Sequence, residues 1–134
     1  MMTIETYLKE VPGKGLGIFS TKDIKSGDIV YEDDDFMSKI FPNEIVKQLS
    51  EIQQKFIKKY ATYKKETDTW YLCLDDARFW NHSDTPNTIY TTNFKGHGWM
   101  MALDDIPAGT ELTSDYREFC DECKDGYFDF EIVK

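Results

Sequence analysis

The chain has 134 residues, with 16 Lys+Arg against 25 Asp+Glu, a formal net charge of −9, 40% apolar and 15% aromatic residues. A domain of this length buries ~68% of its unfolded surface, enough for one core without disulfide or metal staples, and the acid excess opposes electrostatic binding to nucleic acid or an anionic membrane and favours a basic partner. No apolar run approaches the ~18 residues of a membrane span, and Met1 to Glu10 lack the basic-then-apolar layout of a signal peptide, so a single intracellular domain is expected.

The first 40 residues read as short strands joined by turns. Thr3 to Lys9 holds β-branched and aromatic residues, Pro12-Gly13-Lys14-Gly15-Leu16-Gly17 breaks the pattern, and Ile29-Val30-Tyr31 resumes it after Ser26-Gly27-Asp28. From Asn43 to about Lys65 there is no Gly or Pro. Ile45, Leu49, Ile52, Phe56 and Tyr60 recur there at helical spacing, which predicts one amphipathic helix started by Pro42-Asn43. Beyond Trp70-Tyr71-Leu72 come a polar Asp75-Asp76, a short element from Ala77 to Trp80, and an aperiodic run from Asn81 to Asn87. Thr88 to Phe94 and Trp99 to Leu103, separated by Lys95-Gly96-His97-Gly98, read as a β-hairpin, and Ala108-Gly109 turns the chain before Glu111-Leu112-Thr113. The fold class is therefore predominantly β with a helical insert, in one domain with an aromatic and acidic tail from about 117.

Charge is unevenly spread. The helical stretch carries Lys47, Lys55, Lys58, Lys59, Lys64 and Lys65 against Glu44 and Glu51, whereas Asp104 to Glu131 holds ten acids and only Arg117 and Lys124 as bases. Two solvated faces of opposite sign would explain this, as would an acidic strip that meets a cationic substrate. Cys73, Cys120 and Cys123 are an odd number, against a disulfide framework. Cys120-x-x-Cys123 has the spacing of half a zinc site, but with only His82 and His97 to add, a closed tetrahedral set is hard to assemble; unliganded thiols are the simpler reading, with the pair as a metal or redox candidate the alternative. Gly15-Leu16-Gly17 lacks the third glycine and strand-then-helix setting of a dinucleotide fingerprint. Asn81-His82-Ser83 is formally a glycosylation sequon, without meaning in a chain that is never secreted.

Four segments occur in one order: Gly13-Lys14-Gly15-Leu16-Gly17-Ile18-Phe19; Asp23-Ile24-x-x-Gly27-Asp28; Arg78-Phe79-Trp80-Asn81-His82-Ser83-x-x-Pro86-Asn87; and Asp105-Ile106-x-x-Gly109-Thr110-Glu111-Leu112-Thr113-x-Asp115-Tyr116. Together they resemble the SET domain, the family of S-adenosylmethionine-dependent protein lysine methyltransferases, with the Asn43 helix falling where that family carries a variable insert. The resemblance implies several small sheets, with the Asn81 segment and the segment ending at Tyr116 crossing in a pseudoknot. It implies that Gly15 and Leu16 offer backbone groups to the methionine end of S-adenosyl-L-methionine, with Lys14 beside them. Asn81 and His82 would hold its amino group and adenine, Arg78 would line the same wall, and Tyr116 would be the catalytic tyrosine.

That chemistry suits those residue types. In-line methyl transfer to an amine in a dry channel asks the protein mainly for positioning and electrostatics, a glycine turn admits a zwitterion close to backbone, and Asn offers both donor and acceptor. A tyrosine with a reference pKa of ~10 is a poor base at neutral pH, so Tyr116 is expected to orient and polarise rather than to take the proton. The family's Cys after Asn-His-Ser is replaced here by Asp84, and only two cysteines follow the core in place of a zinc-binding segment. Phe119, Tyr127, Phe128 and Phe130 then become the candidate cover for adenine, with core packing as the alternative for each. In the Thr-x-Asp-Tyr motif, the position that tunes methyl number is Ser114, too short to fill a lysine channel, and Tyr90, three residues beyond Pro86-Asn87, matches a second arrangement in which a tyrosine restricts it. Packing as an ordinary strand aromatic is the alternative for Tyr90. The expected partner is a basic protein or peptide bearing a lysine; a catalytically inactive module binding a basic peptide, and methylation of a non-protein amine, are the competing readings.

Overall fold

The computed structural model describes residues 1–119, and these form ten short strands, two α-helices and two 3-10 turns. Strands β1 (Thr6–Val11) and β2 (Gly15–Ser20) form an antiparallel ribbon around the glycine turn. Strand β3 (Ile29–Glu32) borders a three-stranded sheet of order β3-β9-β8, whose β8 (Thr88–Thr92) and β9 (Gly98–Ala102) are the expected hairpin. A third sheet, of order β4-β6-β5, consists of β4 (Ser38–Pro42), β5 (Thr62–Lys64) and β6 (Thr69–Cys73). The fourth is a two-residue parallel pairing of β7 (Asn81–His82) with β10 (Thr113–Ser114), in register Thr113↔Asn81 and Ser114↔His82.

The main core gathers Ile18, Ile24, Val30, Tyr31, Trp80, Met100, Ile106 and Leu112, supplied by segments spread along the chain. A second core, of Val46, Ile57, Ala61, Trp70 and Leu72, lies wholly within residues 46–72. Two equivalent peptide bridges frame the main core: Ile24 N–H and Ile106 N–H each donate to the other's carbonyl at 2.8 Å, which aligns the two Asp-Ile-x-x-Gly turns of the sequence.

The helical insert departs from expectation. Instead of one helix over about 43–65 there is a single turn, α1 (Asn43–Val46), and then α2 (Glu51–Tyr60). Ser50 resets the chain: its side chain accepts from Gln53 N–H at 3.2 Å while its own N–H donates to the Gln53 amide oxygen at 3.0 Å, a capping box that begins a new helix. The phase of the buried face changes with it. Val46, Ile57 and Ala61 are buried against β6, whereas Ile45, Ile52 and Phe56 of the expected apolar stripe are 51%, 81% and 43% exposed. The helix stops at Tyr60, Ala61 is extended, and Lys64 belongs to β5.

Candidate functional site

The glycine turn forms one wall. Gly15 has φ +80°, a conformation other residues rarely adopt, and nothing lies within 4 Å of the position its Cβ would take. Gly17 is needed for a different reason: a Cβ there would collide with the Glu111 carboxylate and with Val11. Glu111 is the hub of this wall. Its Oε1 accepts from Lys14 Nζ at 3.4 Å and its Oε2 from Asn81 Nδ2 at 2.7 Å, while the second hydrogen of that Asn81 amide goes to the Leu16 carbonyl at 3.0 Å. Lys14, Leu16 and Asn81, remote in sequence, are thus brought together. Asn81 Oδ1 makes no hydrogen bond among the described residues, which leaves one acceptor beside the turn. Sequence reasoning quoted Glu111 as part of a motif without giving it a role; the signal available was Gly17, whose missing side chain makes room for it.

The parallel pairing of β7 and β10 builds the second wall. Asn87 completes it as a side-chain splice: its amide donates to the Glu111 carbonyl at 2.8 Å and accepts from Thr113 N–H at 2.9 Å. His82 is 3% exposed. Its Nδ1 accepts the backbone N–H of Tyr116 at 3.1 Å, so the hydrogen of the neutral ring sits on Nε2 and is donated to Asp84 Oδ1, also at 3.1 Å. Asp84 in turn accepts from Arg117 Nη2 at 3.0 Å, and Arg117 forks Asp115 with two bonds of 2.8 Å. The Arg117 guanidinium holds the Asp115 carboxyl below the usual carboxylate range. Residues 82–84 and 115–117 are therefore tied by charge-assisted hydrogen bonds, Asp84 standing where the family often carries cysteine.

Tyr116 opens the 3-10 turn Tyr116–Glu118, capped by Asp115, and its hydroxyl donates to the Trp80 carbonyl. Its ring meets His82 edge-on at 5.4 Å and Phe119 at 5.7 Å, and Phe119 meets Tyr90 at 5.4 Å. The row His82, Tyr116, Phe119, Tyr90 brings four of the expected site residues into contact. Phe119 lies inside this row; Tyr127, Phe128 and Phe130, the other candidates to cover adenine, and the Cys120/Cys123 pair lie outside the described residues. Tyr90 belongs to β8 and packs against the main core, while its hydroxyl donates to Asp33 Oδ2 at 3.1 Å and its N–H to Glu118 Oε2 at 3.3 Å. Burial pushes the Tyr90 phenol and the Glu118 carboxyl above their ordinary ranges.

Arg78 and Ser114 are set differently. The Arg78 guanidinium carbon lies 4.9 Å from the Phe79 ring centre and 5.7 Å from that of Tyr60, in the cation–π range, at the junction with the insert. Ser114 is fully buried in β10 beside His82. Arg78 Nε, Trp80 Nε1 and Ser114 Oγ are buried polar atoms without a hydrogen-bond partner among the described residues. Among the described residues no group of three or more His, Cys, Asp or Glu could hold a metal ion, and no helix is long and apolar enough to cross a membrane.

A family model for the SET domain matches residues 15–117. The variant-silencing SET domain-containing protein of Plasmodium falciparum is 28% identical over 126 residues, which covers 81% of this chain but 5% of that protein. The chain thus spans about a twentieth of this curated relative. Among solved structures, a Plasmodium falciparum candidate histone methyltransferase superposes with a TM-score of 0.60 at 20% identity, covering 86% of this chain and 95% of the other. A humanized mutant of the Chaetomium thermophilum Polycomb Repressive Complex 2 superposes with a TM-score of 0.61 at 18% identity, covering 87% of this chain and 15% of that one. The structural likeness concerns the fold, whereas the sequence match runs from the glycine turn through the β7–β10 pairing and Tyr116: this chain belongs to the SET-domain family.

Proposed function

We propose that the chain is a protein-lysine N-methyltransferase that takes its methyl group from S-adenosyl-L-methionine and delivers it to a lysine of a basic protein or peptide. The observation that carries this reading is that the adjacent residues Asn81 and His82 join two sets of hydrogen bonds, Asn81 to Leu16 and Glu111 and His82 to Tyr116. The family supports methyl transfer, and the histone methyltransferase named among the structural relatives supports a histone as one such substrate.

The residues present fit the methyl donor. Its methionine end is a zwitterion, and the wall around Gly15 offers an ammonium at Lys14, a carboxylate at Glu111 and the uncommitted Asn81 Oδ1, all beside a turn that a side chain at Gly15 would not leave open. Lys14, Gly15, Leu16, Asn81 and His82 would hold it, with Arg78 added from the junction with the insert and Phe119 from the aromatic row. When bound, S-adenosyl-L-methionine supplies an electrophilic sulfonium methyl, and the N–C bond forms as the C–S bond breaks to leave a neutral thioether.

The chain's own part is to hold the amine and keep it dry. An unperturbed lysine is neutral in only ~1 of 2,500 molecules at pH 7, equivalent to ~4.6 kcal/mol, so an apolar channel that disfavours the charged form assists the reaction. Because the Tyr116 hydroxyl donates its one hydrogen to Trp80, its oxygen acts as an acceptor toward the reacting groups, holding an amine N–H or a polarised methyl C–H rather than removing a proton. Asp33 and Glu118, bound to the two ends of Tyr90, favour entry of a cation. Tyr90 and Ser114 are assigned to the lysine channel, where the Tyr90 hydroxyl limits the product to mono- or dimethyl lysine and Ser114 leaves space. The test is incubation with labelled methyl donor, basic peptides and cell lysate, the labelled residue being located by mass spectrometry. Label on lysine is expected; binding of peptide without transfer would establish the inactive-module reading instead.

A further inference from the structure

Asp33 was given no role by any sequence motif, yet its carboxylate accepts three hydrogen bonds beside the aromatic row. It follows β3, two residues before the exposed Asp35 and Phe36. Its Oδ2 accepts both the Tyr90 hydroxyl at 3.1 Å and the backbone N–H of Gly98 at 2.8 Å, and its Oδ1 accepts the Tyr31 hydroxyl at 3.0 Å. Its own N–H donates to the Gly98 carbonyl at 2.8 Å, so carboxylate and backbone are clamped to the same residue of β9. Gly98 leaves room for this: a Cβ there would overlap the Tyr90 ring and hydroxyl. Tyr31 is itself fixed in the main core, edge-on to Trp80 at 6.2 Å, with Cys73 Sγ 3.4 Å from its oxygen. Asp33 is thus held from three sides, and Tyr90 hangs from it.

We propose that Asp33 is a positioning residue that sets how many methyl groups the lysine receives, by fixing the direction in which the Tyr90 hydroxyl donates. This rests on the reading of Tyr90 as a lysine-channel residue. A phenol has one hydrogen. With that hydrogen committed to a carboxylate, Tyr90 presents only lone pairs to any other neighbour, and a charge-assisted bond makes its oxygen a stronger acceptor. Such an oxygen holds an amine that still carries an N–H and offers nothing to one about to lose its last. Release of the hydroxyl from Asp33 lets it rotate, so the amine is held less firmly and turns to accept a further methyl.

The test compares Asp33→Asn, Tyr90→Phe and the double variant with the wild type, at long incubation on one lysine peptide, with products counted by mass spectrometry. An asparagine keeps one oxygen, which Gly98 N–H fixes toward Tyr90, but lacks the charge, so the Tyr90 hydroxyl loses its charge-assisted acceptor and is held less firmly. The expected result is about a tenfold rise in the ratio of higher to lower methylated product for Asp33→Asn, the size of one hydrogen bond to a charged group. The same rise is expected for Tyr90→Phe, with no further rise in the double variant, since both remove one interaction. Gly98→Ala gives a second route with the Asp33 carboxylate still present, because the added Cβ displaces the Tyr90 hydroxyl; it should shift the products the same way. Ultraviolet titration of the phenols reads the bond without any activity: Asp33→Asn should bring a tyrosine that is absent from the titration of Tyr90→Phe down toward its ordinary range. Products unchanged in Asp33→Asn but raised in Tyr90→Phe would overturn the proposal, as would an additive double variant. A wild type that transfers no methyl to any lysine would remove the function reading first, and is recognised before a variant is made.

Discussion

The two cores of this domain are built in opposite ways. The core of Val46, Ile57, Ala61, Trp70 and Leu72 is local: α1, α2 and the β4-β6-β5 sheet come from one stretch of chain, and β6 pairs with the two strands of that stretch that precede it. The main core is assembled across the whole length, from Ile18 to Leu112, and its sheets pair β3 with β9 and β7 with β10. Every residue of the Leu16, Glu111, Asn81, His82, Tyr116 set belongs to the second kind of structure. A site that needs a glycine turn, an Asn-His pair and a tyrosine at one point requires long-range pairing, whereas the insert meets it from one side, with Lys64 of β5 donating to the Phe119 carbonyl and Tyr60 facing Arg78.

The largest expected effects test that difference. Leu112 is completely buried between Glu111 and Thr113, and Ile57 is the buried anchor of α2; replacement of either by Ala should cost about 2–5 kcal/mol of stability. Only Leu112→Ala should also weaken binding of S-adenosyl-L-methionine, followed by calorimetry at a temperature where both variants remain folded. Equal loss of binding in Ile57→Ala would show that the two regions act as one.

Within the site, binding and turnover should separate. Tyr116→Phe is expected to leave donor affinity within a few-fold of wild type while turnover falls at least ~100-fold, because the hydroxyl acts mainly in the transition state. Asn81→Ala should instead weaken the donor itself by ~10- to 100-fold, the range for losing a hydrogen bond to a charged group. Near-normal turnover in Tyr116→Phe would remove the role assigned to that hydroxyl.

The clasp between residues 82–84 and 115–117 gives the site a dependence on acid. Asp115 is held below its ordinary range by Arg117, so its stabilising contribution is complete above the unfolded-state value and is lost as pH falls through the lower folded value. Glu118, raised by burial, has the opposite sign: its contribution is complete below the unfolded value and is lost as pH rises through the folded one. Thermal unfolding across acid pH should therefore show a fall at low pH that Arg117→Gln flattens. An identical profile in Arg117→Gln would remove the clasp from the account.

The smallest change concerns the insert alone. Ser50→Ala deletes the cap of α2 and should cost about 1 kcal/mol, lowering Tm without altering donor affinity or product distribution. A change in methyl number would tie the helix start to the channel.

What was legible in the amino-acid order is what local chemistry decides. The hairpin of β8 and β9 follows from alternation around a Gly-containing turn, the turn at Gly15 from a backbone conformation other residues rarely adopt, and the family from residues whose order along the chain is diagnostic. The break at Ser50 was equally local. Ser50-x-x-Gln53 is a capping box in plain view, but an unbroken apolar spacing from Ile45 to Tyr60 concealed it, since the same spacing fits one long helix or two with a change of phase.

Other features had no local sign. Glu111 bridges Lys14 and Asn81, Asp33 carries the Tyr90 and Tyr31 hydroxyls, and Asp84 ties His82 to Arg117; each is a carboxylate whose partners lie up to 97 residues away. The order of side chains along a strand or helix follows from backbone sterics and hydrophobic period, which act over a few residues. Which carboxylate receives which donor depends on strand pairing and on burial, where a polar group must find a partner or lose its hydration uncompensated. The amino-acid sequence alone thus determined the turns, the hairpin and the family. Tertiary structure alone decided which face of α2 is buried and which acids hold the site in place, because those choices are made by long-range pairing and desolvation.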